Sequence, residues 1–344
     1  RVDCDFCPQT LLMDKYSSHA NIENVSYGNP SFMSFETFKT CLDKMPKSLR
    51  IIFSGYAEPF LNPECIKMII YTHNSGRPIE IFSTLVGLKL EDIDQFKHIP
   101  FTKFHIHLPD AKMFAKIAVN KNYIAVLKKL LTSDIKNLMA MTMGPLHPKI
   151  KEILVTDIEQ SEMISRAGNV EIVKNNFKRK LGPLVCHRGS YADLEDRLDV
   201  NVLLPNGDVS LCCNDYGLQN ILGNLLKTDY VSLFQSDTFK KIREKMKSHD
   251  SDIICRNCHE AMPESELIER RKIKNDYTND KTALSIIHLY QKLLQRYPDK
   301  VGFDHFYSKI SNNELTIQGL EDIISQSTEY TNTRPIKLGL KHFS

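Results

Sequence analysis

Two cysteines stand three apart near the start of the chain, in Arg1-Val-Asp-Cys4-Asp-Phe6-Cys7-Pro8. Another pair has the same spacing in Cys255-Arg-Asn-Cys258. Between them lie Cys186 and the adjacent Cys212-Cys213, and two further cysteines, Cys41 and Cys65, fall in apolar helical stretches. The total is nine, an odd number. No secretory signal pattern is visible, so the expected location is cytoplasmic, where thiols stay reduced and a disulfide framework is not expected. Clustered thiols in that setting bind metal. Four thiolates suit zinc or an iron–sulfur cluster. Cys255-Arg-Asn-Cys258-His259 also matches the haem-attachment pattern, which needs export and a second axial ligand. Cys41 and Cys65 are expected to be buried core.

The elements that must position these thiols alternate in type. Strand-like runs occur at 50–54, 79–84, 103–108, 137–142 and 169–173. Helical patterns lie between them: Phe35, Phe38, Leu42 and Met45 behind a Ser34 cap, a helix opened by Asn62-Pro63, and one over about 111–131. Strands alternating with helices predict β/α units and a parallel sheet. A basic stretch over 174–181 reads as a solvated connection. Asn206-Gly207 between apolar segments signals a hairpin. Residues 263–281 are charged and read as a helix end and linker. Ile286, Leu289, Tyr290, Leu293 and Leu294 share one helical face, Pro298-Asp299 ends that helix, and a last helix runs over about 317–325. Composition is that of a globular protein, 42% hydrophobic and 25% charged, with 344 residues and room for two or three domains. The net charge of +3 gives no reason to expect nucleic acid or an anionic membrane. No run reaches the roughly 18 apolar residues of a membrane span.

Cys4, Phe6 and Cys7 resemble the last three marked positions of the radical S-adenosylmethionine motif, C-x-x-x-C-x-x-C with an aromatic before the last cysteine. The first cysteine would fall one residue before Arg1. A cut there would also remove the first barrel strand, so the sequence is expected to be a fragment that assembles this cluster poorly. Phe53-Ser-Gly55-Tyr-Ala-Glu58-Pro59 resembles the family's G-G-E-P segment, with Ala57 in place of the second glycine. The resemblance implies three thiolates on a 4Fe–4S cluster. It also implies S-adenosyl-L-methionine on the open iron and a 5′-deoxyadenosyl radical that abstracts hydrogen from substrate. It makes Cys4 and Cys7 cluster ligands. Phe6, Gly55, Glu58 and Pro59 are implied cofactor contacts, with Thr84 and His107 added by their positions at strand ends.

The later cysteines are similar to a SPASM/twitch extension: Cys186, then Gly207 and Cys212 in G-x-x-x-x-C spacing, a Gly223-Asn224 step, and Cys255-x-x-Cys258. The resemblance implies one auxiliary 4Fe–4S cluster on Cys186, Cys212, Cys255 and Cys258 for electron transfer, with Cys213 spare. The parent protein would then hold two clusters. Leu289-Tyr290-Gln-Lys-Leu-Leu-Gln-Arg296-Tyr-Pro298-Asp299-Lys-Val-Gly302 resembles a small helical family of unknown function, as does Ser327-Thr-Glu329-Tyr330. That family implies a protein-docking module.

The expected architecture is α/β: a partial (β/α)6 barrel over 1–173, an auxiliary-cluster domain over 182–262, and a helical module over 282–330. The expected function is radical oxidoreductase or maturase-like chemistry on a sugar or peptide, fed by an external electron donor. No substrate acid or base can be named. The rival reading is a non-catalytic metal-binding protein, holding zinc or an iron–sulfur cluster on a degenerate barrel.

Overall fold

The computed structural model describes residues 4–20, 32–154, 158, 163–170, 173, 178–186, 194, 196, 198, 200–294 and 296–333. The chain forms two compact units, one of residues 1–174, 201–241 and 335–344, the other of 175–200 and 242–334.

The first unit is built on a four-stranded parallel sheet in sequential order: β1 (Ile51–Phe53), β2 (Ile79–Ser83), β3 (Lys103–His107) and β4 (Leu138–Met141). Ile51 pairs with Ile79, Ile81 with Phe104, and Ile106 with Ala140. Two helices precede β1, α1 (Gln9–Ala20) and α2 (Phe35–Asp43). The crossovers between strands carry α3 (Cys65–Asn74), α4 (Leu90–Phe96) and α5 (Lys121–Leu131). A short α6 (Pro148–Lys151) follows β4. Alternation along β3 sends Phe104 and Ile106 into the main core and leaves His105 and His107 on the other face. Phe60, Phe96, Phe101 and Phe104 pack there with ring centroids 5.3–6.5 Å apart. Cys41 and Cys65 are buried core, as their helix faces predict.

Ser34 caps α2 as expected, its hydroxyl accepting from Thr37 N at 3.1 Å. Arg77 is buried and donates to the carbonyls of Leu42 and Met45, satisfying acceptors at the end of α2. Two helix starts differ from the sequence reading. Asn62 does not cap a helix, because residues 59–61 form a 3-10 turn and α3 begins at Cys65. The helix expected from 111 begins at Lys121, capped by Asn120. The buried Asp110 carboxylate takes Phe114 N and Ala115 N instead, holding 111–120 as a loop. Of the strand expected over 169–173, Asn169 lies in a turn and Val173 is helical, while 171 and 172 lie outside the described residues. Residues 174–177 of the 174–181 connection also lie outside them.

The same unit carries a three-stranded antiparallel sheet of β6 (Val202–Leu203), β7 (Asp208–Ser210) and β8 (Ile221–Asn224). Its hairpin turn is wider than a two-residue Asn-Gly loop. Gly207 N bonds to Leu204 O, and Gly207 sits at φ 86. A side chain there would enter the left-handed region and meet Leu226 at 2.7 Å, so glycine is required.

In the second unit β5 (Leu184–Cys186) pairs antiparallel with β9 (Ala261–Pro263). The charged 263–281 segment is no linker: it forms a helix, Glu264–Asp276, that buries Leu267, Arg270 and Ile273. Helices Lys281–Leu294, Lys300–Ser311, Ile317–Ser325 and Thr328–Thr333 follow, so the region after Tyr330 begins inside a helix. The residues that mark this module are its fasteners. Asp299 caps the second of these helices through Gly302 N at 2.8 Å. Arg296 lies 5.1 Å over the Tyr290 ring and pairs with Glu329 and Asp299. A Cβ on Gly302 would stand 2.9 Å from the Tyr290 hydroxyl. The signature therefore follows from packing inside the module. Among the described residues no helix is long and apolar enough to cross a membrane.

Candidate cluster and cofactor site

All nine cysteines carry thiols. Cys4 and Cys7 are brought together by one tight turn, Cys7 N donating to Cys4 O at 3.1 Å. Asp5 N bonds to Phe114 O, and the Cys4 thiol donates to Ala115 O at 3.3 Å, so the loop held by Asp110 anchors the C-x-x-C segment. Phe6 stacks on His107, the last residue of β3, at 5.2 Å and 21°. The segment thus docks at the C-terminal end of a parallel strand, where β/α folds place their ligands.

Gly55, Glu58, Pro59 and Thr84 meet around the ends of β1 and β2. Glu58 is half-buried. Its carboxylate accepts from Ser83 Oγ at 2.7 Å, Thr84 N at 2.6 Å, Thr84 Oγ1 at 2.6 Å and Phe60 N at 3.1 Å. Burial raises the Glu58 pKa, and those four donors oppose the rise. Glu58 is therefore a clamp between two strand ends, and Thr84 is one of its partners. Pro59 opens the 3-10 turn that Glu58 caps. Gly55 has φ 103, a conformation that glycine alone adopts without strain.

His105 and His107 are half-buried, and desolvation lowers their pKa values to about 4. Lys103 and His107 add to the effect at His105, whereas Asp110 opposes it at His107. Among the described residues, His107 Nε2 and both ring nitrogens of His105 have no hydrogen-bond partner. Buried polar atoms of this kind ordinarily have partners. An orphaned nitrogen beneath Phe6, at a strand end, fits a site that receives a polar ligand.

Sequence reasoning missed a second layer around Cys7. The Tyr216 hydroxyl lies 3.4 Å from Cys7 Sγ, with Tyr216 itself 1% exposed. Burial and the neighbouring Cys7 hold that hydroxyl protonated, well above its ordinary value. The Tyr216 ring meets Tyr56 edge-on at 4.9 Å. Tyr56 Oη contacts Ser210 Oγ at 3.0 Å and donates to Cys212 O at 2.7 Å and Asp215 O at 3.0 Å. Gln9 Nε2 donates to Tyr56 O at 2.6 Å. Asp215 shapes the Cys212–Asn220 loop by accepting from Gln219 N and Asn220 N. Tyr216 and Cys7, and Tyr56 and its partners on 210–215, lie over 150 residues apart, and no local pattern marks them.

Cys212 and Cys213 belong to the first unit, while Cys186, Cys255 and Cys258 belong to the second. Cys255 and Cys258 are buried and joined by a turn, Cys258 N to Cys255 O at 3.1 Å. Cys186 ends β5 in register with Ala261, whose N–H bonds to Cys258 O. Between the paired thiols, Arg256 is completely buried. Its guanidinium donates to the carbonyls of Lys180, Gly182, Lys245 and Ser248 and to Ser251 Oγ. Lys180 Nζ donates to Cys258 O at 2.8 Å and to Ala261 O. Among the described residues, no three Cys, His, Asp or Glu side chains are gathered as a ready metal site. What fits a cluster here is the donor chemistry: thiols on C-x-x-C turns whose backbone is fixed by other groups.

Comparison with known proteins locates part of this site. Residues 198–259 match SPASM, an iron–sulfur cluster-binding domain. The matched segment includes Cys212, Cys213, Cys255 and Cys258, and Cys186 precedes it. Two solved structures show a partial likeness to the chain. BtrN in complex with AdoMet and 2-DOIA is 17% identical, with a TM-score of 0.47, covering 72% of this chain and 82% of that one. SeMet BtrN in an open conformation is 15% identical, with a TM-score of 0.40, covering 69% and 86%. No curated protein matches the chain.

Proposed function

We propose that the protein is a radical S-adenosylmethionine enzyme with an auxiliary iron–sulfur cluster, and that the Cys4–Cys7 turn and the strand ends beside it form its cofactor site on a partial (β/α)6 barrel. The observation that carries this reading is Phe6 stacked on His107, a half-buried histidine at the end of β3 whose shielded Nε2 has no partner among the described residues. When bound, a reduced 4Fe–4S cluster supplies the electron that splits S-adenosylmethionine and yields the hydrogen-abstracting adenosyl radical.

The chain's own residues have distinct tasks in this reading. Cys4 and Cys7 supply thiolates. Phe6 covers His107 and keeps water from that strand end. Glu58 ties Thr84 to the β1 loop, so that backbone groups near Gly55 are fixed before a ligand arrives. His107 stays neutral at pH 7 because burial depresses its pKa, and Nε2 can meet one ligand hydroxyl or amine. Cys186, Cys255 and Cys258 supply thiolates for the auxiliary cluster, and the sequence pattern names Cys212 as the fourth. That cluster passes electrons to or from an external donor. Residues 1–173, 182–262 and 282–330 are the three functional domains. The substrate is a sugar or a peptide.

The test is anaerobic reconstitution of the protein expressed from its complete gene. The expected result is about eight irons per chain and release of 5′-deoxyadenosine when S-adenosylmethionine and a reductant are added. Bound zinc without iron, or no cleavage from an iron-loaded protein, would overturn the reading.

A further inference from the structure

We propose that Tyr216 tunes the cluster that Cys7 helps to hold, its hydroxyl donating a hydrogen bond to the Cys7 thiolate and raising that cluster's reduction potential. The inference rests on the reading of Cys7 as a ligand given above.

Three observations carry it. The Tyr216 oxygen lies 3.4 Å from Cys7 Sγ. The side chain is almost wholly buried, so its O–H needs an acceptor inside the protein. Its direction is locked: the ring packs edge-on against Tyr56, and Tyr56 is held in turn by Ser210, by the carbonyls of Cys212 and Asp215, and by Gln9. With the thiol as it stands, either atom could be the donor. A metal-bound thiolate has no proton, so Tyr216 must then donate. Hydrogen bonds to cluster sulfurs are among the groups that set cluster potentials. Reduction adds one electron and one unit of negative charge, with no proton transferred, and a donor aimed at the sulfur favours the more negative state. Tyr216 also lies within the SPASM-type segment. That segment thus contributes a group to the N-terminal cysteine turn as well as carrying cysteines of its own.

The experiment is a one-electron redox titration of the reconstituted protein from the complete gene, following the electron paramagnetic resonance signal that changes when S-adenosylmethionine is added. Tyr216→Phe removes one oxygen and keeps the ring. The expected result is about a tenfold lower ratio of reduced to oxidised cluster at fixed potential, or about 59 mV more negative. Tyr56→Phe loosens the same layer but leaves the Tyr216 hydroxyl on the sulfur, and its titration should match the unsubstituted protein. An unchanged potential in Tyr216→Phe overturns the proposal, and so does an equal shift in both variants, which would mean general loosening. An unsubstituted protein with iron bound but no signal sensitive to S-adenosylmethionine would overturn the Cys7 reading itself, a result distinct from the other two.

Discussion

Replacing Arg256 with Met should unfasten the Cys255–Cys258 turn even when no metal is present. The guanidinium is 0% exposed and reaches four backbone carbonyls and two hydroxyls. Lys180 N returns a bond to Arg256 O at 2.8 Å, so the residue is held at both ends. Each charge-assisted bond contributes about 1.5–3 kcal/mol, but burying the cation costs several kcal/mol in return. Breaking such a buried network by removing one partner costs about 3–5 kcal/mol. That is a large share of the roughly 5–15 kcal/mol that stabilises a typical domain. With a urea m-value of about 2 kcal/mol per molar, the midpoint should fall by about 2 M. Urea unfolding of the metal-free protein measures this, together with the rate at which a thiol reagent labels Cys255 and Cys258. Arg256→Lys keeps the charge without the planar fork and should fall between the two. A midpoint within 0.3 M of the unsubstituted protein (about 0.6 kcal/mol at that slope), with thiols still protected, would refute the reasoning.

Glu58→Gln should lower stability by about 2–3 kcal/mol, because one of four inward donors would face an amide N–H; thermal unfolding checks this, and a gain in stability would contradict the clamp. The His105 and His107 pair predicts a specific pH response. Their folded pKa values, about 4, lie below the unfolded value near 6.5, so between those limits the unfolded chain binds more protons. Stability should therefore fall as pH drops from 6.5 to 4, by several kcal/mol in all. A His105→Gln, His107→Gln variant should show a flatter profile over the same window in equilibrium unfolding.

Much of the parallel sheet was legible because its strands are short apolar runs with Ile and Phe at alternating positions, and the Ser34 cap was legible because its hydroxyl acts within four residues. What failed was local capture by side chains. Glu58 takes Phe60 N, which makes a 3-10 turn and delays α3 past Asn62. Asp110 takes Phe114 N and Ala115 N, which delays α5 to Lys121. Both are acidic residues in loops, and nothing local says which backbone they will bind. The helix Glu264–Asp276 was hidden by charge, yet Leu267, Arg270 and Ile273 fall on one face, and Arg270 is neutralised by Glu266 at 2.6 Å. The cysteines themselves were plain in the sequence. The residues that orient them, Tyr56, Tyr216 and Arg256, were not, because each acts through tertiary contacts with the partners that matter.

The two C-x-x-C turns share a spacing but sit in different electrostatic settings. Beside Cys7 stands a buried neutral phenol, itself packed against a second phenol. Around Cys255 and Cys258 stand two cationic donors, the buried Arg256 and the half-buried Lys180. Lys180 has its pKa lowered by burial, and the charges of Cys258, Glu266, Glu260 and Cys255 oppose that fall. A cation near a sulfur favours the thiolate and stabilises an anionic cluster in proportion to full charge, where a hydroxyl offers only a dipole. The spacing alone states that metal can be bound. The surrounding donors distinguish the two turns: cationic side chains hold the backbone around 255–258, whereas a neutral phenol stands beside Cys7.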